Sequence, residues 1–519
     1  MHGKNTKHHL KGAFHFHRGH VCTALTLIGI ALISLSSAPS SARAANGVFD
    51  WSYVDLDYAR REKVLELERF CNRIHDLALK AAKDPFMIGC FDISLQFDRA
   101  MKNGPVPSAL EVKIAQLELS YNAYFIENYF SFHDILFVNL RGEIVHSIRK
   151  QYAPNESLFE GDLSGSTLSK CLKKSPTKEC FVDFANYTPS SEAAAFFVEP
   201  VIQEGVLRGW MVLQCAINKL NTIFAWIESL GQTGETFLVN RQGLMLTESN
   251  FSGDSTILKK QLDDRNIQAK FNEGQGHRTV TDYRGSEAFS SFQVVLFMDT
   301  RWLVVAKMDK DEVITQHYAR HRRYYADKLL ARLEDAITSP LHELSVLPPQ
   351  KTLRIDMDEF VRAKNGERLQ TFGVSTCTGL LATYPGRFGY MAHISPMDRI
   401  YGGDGFNLLG RMIKRIRSFD IYPSEKHRIR FMVVAPHPHT LPAIIDKLIE
   451  EGFLLSQILV FYNPEADSAT ISYDYSRSAL HVLWKLKDHK GMGGHTMEDA
   501  ENVGAIIRRI MQAEESGQT

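Results

Sequence analysis

Gly231-Gln-Thr-Gly-Glu-Thr-Phe-Leu-Val-Asn240 runs directly into Arg241-Gln-Gly243 and then Leu244-Met-Leu-Thr247. A run rich in β-branched and aromatic residues, bounded by glycines, reads as a strand, a turn and a returning strand. The same order occurs about 100 residues earlier, as Asp134-Ile-Leu-Phe-Val-Asn139, a turn at Arg141-Gly142, and Glu143-Ile-Val-His-Ser147. Further strands are expected over 194–200, 209–214, 287–297 and 302–308. Together they make two small antiparallel units, although identity between the two rounds is weak.

Upstream, Val64, Leu67, Phe70, Ile74 and Leu77 recur at helical spacing, which predicts one long amphipathic helix over 51–82. Asp84-Pro85 breaks it, and a second helix follows over 108–129. Downstream, residues 311–350 read as a charged helical linker with Arg320, Arg322 and Arg323 on a solvated face, ending at Leu347-Pro348-Pro349.

The first 44 residues have a different composition. Lys4, Lys7, Lys11 and Arg18 precede an apolar run over 21–35, and Ala42-Arg43-Ala44 supplies an A-x-A cleavage pattern. That is the layout of a secretory signal, with an uncleaved anchor as the competing reading. The run is shorter than the roughly 20 residues of a spanning helix. The rest of the chain is therefore expected outside the cytoplasm, periplasmic or extracellular, and at the membrane only if the leader is retained. With 60 basic and 60 acidic side chains, no broad positive field selects nucleic acid, which is excluded as a partner.

Cys171 and Cys180 flank a polar loop containing Pro176, and in an oxidising compartment they are a candidate disulfide. Cys71 and Cys90 can pair only if the helix ends before Pro85, since a continuous helix would separate them by about 28 Å. Cys215 reads as a small core residue, which leaves Cys377 alone in the C-terminal third.

A long helix followed by the two strand–turn–strand segments resembles the extracytoplasmic double Cache domain of chemoreceptors and sensor kinases, over about residues 50–310. The resemblance implies two PAS-like sheet units behind the long helix, and a small-molecule ligand held under the loops. Arg149, Tyr152 and Tyr187 stand near the family's ligand-contacting region, but the R-x-W-Y run of its amino-acid sensors is absent. Arg149 reads equally as a solvated loop residue.

Beyond the diproline, Thr371-Phe-Gly-Val-Ser-Thr-Cys377 and Gly389-Tyr-Met-Ala-His393 lie on an apolar hairpin turning at Pro385-Gly386. A hairpin can set a thiol beside a base, because cross-strand Cβ atoms lie about 5 Å apart. A bare Cys and His at this separation read as a buried filler and a satisfied core histidine rather than as a catalytic pair. The flanking residues resemble the CheD glutamine deamidases, whose patterns are T-[LF]-G-x-[GS]-[ST]-C and G-x-M-A-H. The resemblance implies an α/β domain of stacked sheets flanked by helices over 351–490, then a C-terminal helix and tail over 491–519. It also implies a catalytic set of Cys377, His393 and Thr371, with backbone N–H groups of Thr376 and Cys377 holding an oxyanion. Ile400-Tyr401 falls where that family has R-Y-x-D.

The chain departs from the family at Val434-Ala-Pro-His-Pro-His439, where G-G-A-x-M is replaced, and in the absent G-x-x-N and D-x-G-G motifs. The nucleophilic set looks kept and the substrate surface rebuilt. His437 and His439 make no complete ligand set, so neither a metal nor a cofactor is expected. Two functions stay open. One is a cysteine amidohydrolase of the protein-glutamine deamidase type, regulated by the sensor and acting on an envelope protein. The other is a non-enzymatic sensor whose C-terminal domain docks a receptor protein.

Overall fold

The computed structural model describes residues 52–152, 156–224, 230–335, 341–344, 350–396, 405–438, 440–489 and 491–516. The leader, Ile400-Tyr401 and His439 lie outside them.

Helix α1 (Ser52–Ala81) ends where Asp84 begins to cap α2 (Pro85–Asn103), accepting the N–H groups of Phe86 and Met87. Helix α3 (Ser108–Asn128) follows. Cys71 and Cys90 thus fall on separate helices and are both free and buried. Strands β1 (Asp134–Asn139) and β2 (Ile144–Ser147) form the expected hairpin. Helix α4 (Thr167–Lys174) leads to β3 (Cys180–Tyr187), β4 (Glu192–Gln203) and β5 (Val206–Ala216), then the short α5 (Asn218–Ile223). The sheet order is β2-β1-β5-β4-β3.

The second unit repeats the plan with β6 (Glu235–Val239), α6 (Asp264–Glu273), β7 (Gln275–Thr281), β8 (Glu287–Phe297) and β9 (Thr300–Asp309). Its sheet order is β6-β9-β8-β7. The expected strand at 244–247 is reduced to isolated bridges, Val239 with Met245 and Leu244 with Gln261. Helix α1 runs along both sheets. Leu67 and Ile74 pack on the first with Phe197, and Leu56 and Ala59 on the second with Phe289. Alternation along the strands turns the other residues to the opposite faces. Those faces are covered by α4 in the first unit and α6 in the second.

His75 of α1 bonds Glu179 at 3.0 Å beside Glu199 of β4, which is 4% exposed. Burial, and then the Glu179 charge, push the Glu199 carboxyl up from 4.5 to about 7. A raised carboxyl stabilises the fold below pH 4.5, and that contribution is lost as pH rises through 7. We expect Glu199→Gln to remove a pH-dependent loss of up to about 3 kcal/mol between pH 4.5 and 8. Urea unfolding of both proteins at several pH values measures this. Parallel pH profiles for the two would refute it.

Helices α7 (Lys310–Arg320) and α8 (Arg322–Asp335) do not form the solvated linker expected over 311–350. Their Ile314, Tyr318, Tyr325, Leu329 and Leu333 enter the core of the C-terminal unit. The charged residues occupy the other face, so a count of charges along the segment conceals an apolar stripe.

That unit begins with β10 (Lys351–Arg354), β11 (Glu359–Arg362), β12 (Glu367–Val374), β13 (Thr378–Tyr384) and β14 (Phe388–Ile394). Then come α9 (Gly405–Arg417), β15 (Arg430–Ala435), α10 (Leu441–Glu450), β16 (Ile458–Tyr462), β17 (Ala466–Asp474) and β18 (Ala479–Leu486). Strands β19 (Met492–Thr496) and β20 (Glu501–Asn502) and helix α11 (Val503–Glu515) complete it. One sheet is β10-β12-β17-β18-β19 and the other β11-β14-β13-β15-β16-β20. Leu381, Met391 and Val434 of the second sheet pack on Leu369, Ile471 and Trp484 of the first. Leu380, Ala392 and Val433 turn the other way, onto the helical layer. Both β19 and α11 are integral to the unit, whose core therefore runs past residue 490. Among the described residues, no helix is long and apolar enough to cross a membrane.

Candidate functional site

Strand β12 belongs to one sheet and β13 to the other, so the chain must cross between them at residues 375–377. Gly373 makes the crossing possible: it takes φ +66° where the β12–β17 register slips. Ser375 Oγ then ties the bend down by donating to the Asp467 carbonyl at 2.9 Å. Cys377 stands at the end of the bend, one residue before β13. His393 pairs with Gly379 across the hairpin, so Cys377 is its diagonal neighbour rather than its direct partner.

Thr371 reaches His393 from the facing sheet. Its Oγ1 lies 2.8 Å from His393 Nδ1 and 2.9 Å from the Ile355 carbonyl. A carbonyl only accepts, so the threonine proton goes to Ile355 and the oxygen accepts from Nδ1–H. That places the proton on Nδ1 and the lone pair on Nε2. The Nε2 atom is buried and without a hydrogen-bond partner among the described residues. Thr371, His393 and Cys377 are 0%, 5% and 7% exposed.

The Cys377 thiol contacts Met357 Sδ at 3.8 Å rather than the imidazole. Burial, and next the Asp358 carboxylate, hold the thiol above its ordinary range. Burial holds His393 below its own, against the opposing pull of Asp358 and Asp356. The resting pair is therefore neutral thiol and neutral imidazole. Met357 and Asp358 lie on the turn between β10 and β11, and the Asp358 N–H donates to the His393 carbonyl at 2.8 Å. No sequence signal marked them.

In the first sheet unit the residues expected near a ligand make contacts of their own. Tyr152 and Tyr187 bond each other through their hydroxyls at 3.0 Å within an apolar cluster. Arg149 is exposed, and its Nε donates to the His133 carbonyl at 3.0 Å. Cys171 and Cys180 are joined in a disulfide with Cα atoms 6.7 Å apart, which closes the loop before β3.

In the second unit, a pocket of about 230 Å³ lies between the sheet and α6. Phe237, Ile267 and Val305 line its apolar side, and Asn266, Lys270 and Thr281 its polar side. At the unit's other end, Glu312 of α7 accepts from the N–H groups of Gln232 and Thr233 at 2.7 and 2.6 Å, and from Thr233 Oγ1 at 2.5 Å.

A family profile described as Cache domain matches residues 65–317. These residues form a Cache domain. Solved structures with some likeness include an extracellular ligand-binding receptor from Desulfohalobium retbaense. It is 15% identical with a TM-score of 0.35, over 49% of this chain and 40% of that one. Another is the ligand-binding domain of the Pseudomonas aeruginosa amino-acid chemoreceptor PctB with L-Arg, 14% identical, TM-score 0.31, over 51% of this chain and 95% of that one. A third is that of the Pseudomonas fluorescens chemoreceptor CtaA with L-leucine, 15% identical, TM-score 0.29, over 47% and 97%. No curated protein matches the chain.

The Cache signature has a physical basis in this chain. Gly231 takes φ +69°, and a Cβ there would meet the Glu312 carboxylate. Gly234 lies against the Leu230 carbonyl, where a side chain would collide with backbone. Glu235 pairs with Lys307 at 3.0 Å inside the Cache sheet. Helix α7 thus binds the Cache domain through Glu312 while its apolar face enters the C-terminal core. Arg508 of α11 adds a contact to Asp311 at 2.6 Å.

Proposed function

We propose that the protein is an exported small-ligand sensor whose C-terminal unit is a cysteine amidohydrolase of the CheD-like, protein-glutamine deamidase type. The observation that carries the reading is the Thr371–His393 hydrogen bond, whose direction leaves Nε2 bare on the inter-sheet side that Cys377 also occupies.

In the proposed reaction the thiol leaves Met357 and gives its proton to Nε2 as sulfur attacks a carboxamide carbon. A C–S bond forms, and the tetrahedral oxyanion is held by the Thr376 and Cys377 N–H groups, on a bend outside both strand ladders. The C–N bond breaks, and ammonia leaves with the proton from His393. Water, deprotonated by His393, cleaves the thioester to a carboxylate and regenerates the thiol. For an exported chain the substrate is a glutamine on an extracytoplasmic protein, and the Cache domain supplies regulation through α7.

Docking without catalysis is the second reading. It is favoured by the burial of Cys377 and by its contact with Met357 in place of His393. A diazoketone analogue of glutamine, incubated with residues 45–519 and followed by peptide mapping, separates the two. The enzyme is expected to carry one adduct at Cys377. Cys71, Cys90 and Cys215, all buried with thiols pushed up, serve as internal controls. An unmodified Cys377, under conditions that consume free cysteine, would leave docking as the surviving function.

A further inference from the structure

In the first Cache unit, Leu136, Val138, Tyr187 and Trp210 pack together on the face turned away from α1. In the second, the pocket of about 230 Å³ remains open beside α6.

Lys270 lines this pocket and is 5% exposed. Its ammonium donates to Ser290 Oγ at 3.2 Å and lies 5.3 Å from the centre of the Phe292 ring. Among the described residues, no carboxylate pairs with it. Lys307, buried to a similar degree on the same sheet, is paired with both Glu235 and Asp282. A buried ammonium without a counter-charge is costly and is relieved by an anion placed against it. The apolar wall of Phe237, Ile267, Val280 and Val305 suits a short hydrocarbon chain better than a bare inorganic ion.

We propose that this pocket binds a small organic acid, with Lys270 taking the carboxylate and the apolar wall taking the chain. The proposal deepens the sensor reading and rests on it.

Binding needs the charged form of Lys270. Burial pulls the ammonium down to about 8, with Arg278 and Lys307 lowering it further and Glu273 opposing. Lys260, Asp263, Asp282 and Tyr283 are the remaining titratable groups lining the pocket. The ammonium is thus largely protonated at pH 7 and is lost above pH 8, so affinity is expected to fall about tenfold per pH unit beyond that point.

The test is calorimetry on residues 45–519 with acetate, propionate, pyruvate, lactate and succinate. The matching amides, alanine, leucine and inorganic phosphate complete the panel. An acid is expected to bind while its amide does not, and Lys270→Met to weaken it at least about 30-fold. Lys270→Gln serves as a second variant should the first fail to fold. Unchanged affinity in both variants, equal binding of acid and amide, or phosphate as the sole ligand would overturn the site. A ligand lost on Tyr152→Phe or Tyr187→Phe, and not on Lys270→Met, overturns it too but keeps the sensor. Silence across the whole panel counts against both.

Discussion

Replacing His393 with glutamine is expected to slow alkylation of Cys377 by iodoacetamide at pH 7 by about 100-fold or more. The imidazole has a bare Nε2 among the described residues, and in the proposed reaction that atom takes the thiol proton. Glutamine can still donate to Thr371 Oγ1, so the variant removes the base and spares the hydrogen bond. Thr371→Val does the converse. It leaves Nδ1–H and the Ile355 carbonyl unpaired, which frees the tautomer and costs about 1–3 kcal/mol of stability. Its effect on the rate is expected to be smaller, about tenfold. The wild-type pH profile should be broad. His393 is held below the usual histidine range and Cys377 above the usual thiol range, so the reactive pair of protonation states persists between two separated limits. The acid limb should move up in pH when burial of the ring is relieved. Equal rates for wild type and His393→Gln would end the amidohydrolase reading.

The parts of this architecture that a sequence shows are those with a strong local period or a constrained turn. The hairpins at β1–β2 and around Gly231 have both, and so does the hairpin carrying Cys377 and His393. Strand β7 was missed because Gln275-Gly-His-Arg-Thr-Val-Thr281 carries almost no apolar side chain. It is an edge strand, held in place by its partner β8 rather than by a buried face. Strand β3 was missed because it begins at a cysteine taken for the end of a polar loop. The linker assignment over 311–350 failed for a related reason, since long charged side chains outnumber the six buried apolar residues of α7 and α8. Thr371, Cys377 and His393 were singled out only because the residues flanking them resemble the CheD motifs, since their bare spacing reads as core. Met357, Asp358 and Lys270 were not. Their roles arise only once a turn folds over the thiol or a helix closes over a lysine, and neither event leaves a mark on neighbouring residues. For Arg149 and Tyr152 the residue type pointed to a ligand, and the fold adds contacts that the sequence did not show, Arg149 to the His133 carbonyl and Tyr152 to Tyr187.

Glu312→Ala is expected to lower the stability of the protein by about 4 kcal/mol. Glu312 is buried, and its two carboxylate oxygens accept from three donors on the Gln232–Thr233 bend. Alanine leaves all three without an acceptor; the N–H of exposed Gln232 is open to water, and the two donors of half-buried Thr233 account for roughly 1–3 kcal/mol each. Gly231 has no Cβ that could fill the space, and a side chain there would be strained at φ +69°. Glu312→Gln keeps one acceptor oxygen and should cost about half as much. Gln316→Ala, which removes only a contact to Glu312 at 3.4 Å, should cost less than about 1 kcal/mol. Scanning calorimetry on the three variants measures the series, with a fall of roughly 10 °C expected for Glu312→Ala. The ordering follows from where Glu312 stands. It anchors the loop that opens the second Cache unit to the first turn of α7, whose far face is part of the C-terminal core through Ile314 and Tyr318. Losing the anchor therefore loosens the joint as well as the sensor. In Glu312→Ala, ligand binding at the Cache domain should no longer change the reactivity of Cys377, even at temperatures where both units remain folded. A variant within 2 °C of wild type, or one that keeps ligand control of the thiol, would show that the carboxylate clamp is not what joins the two.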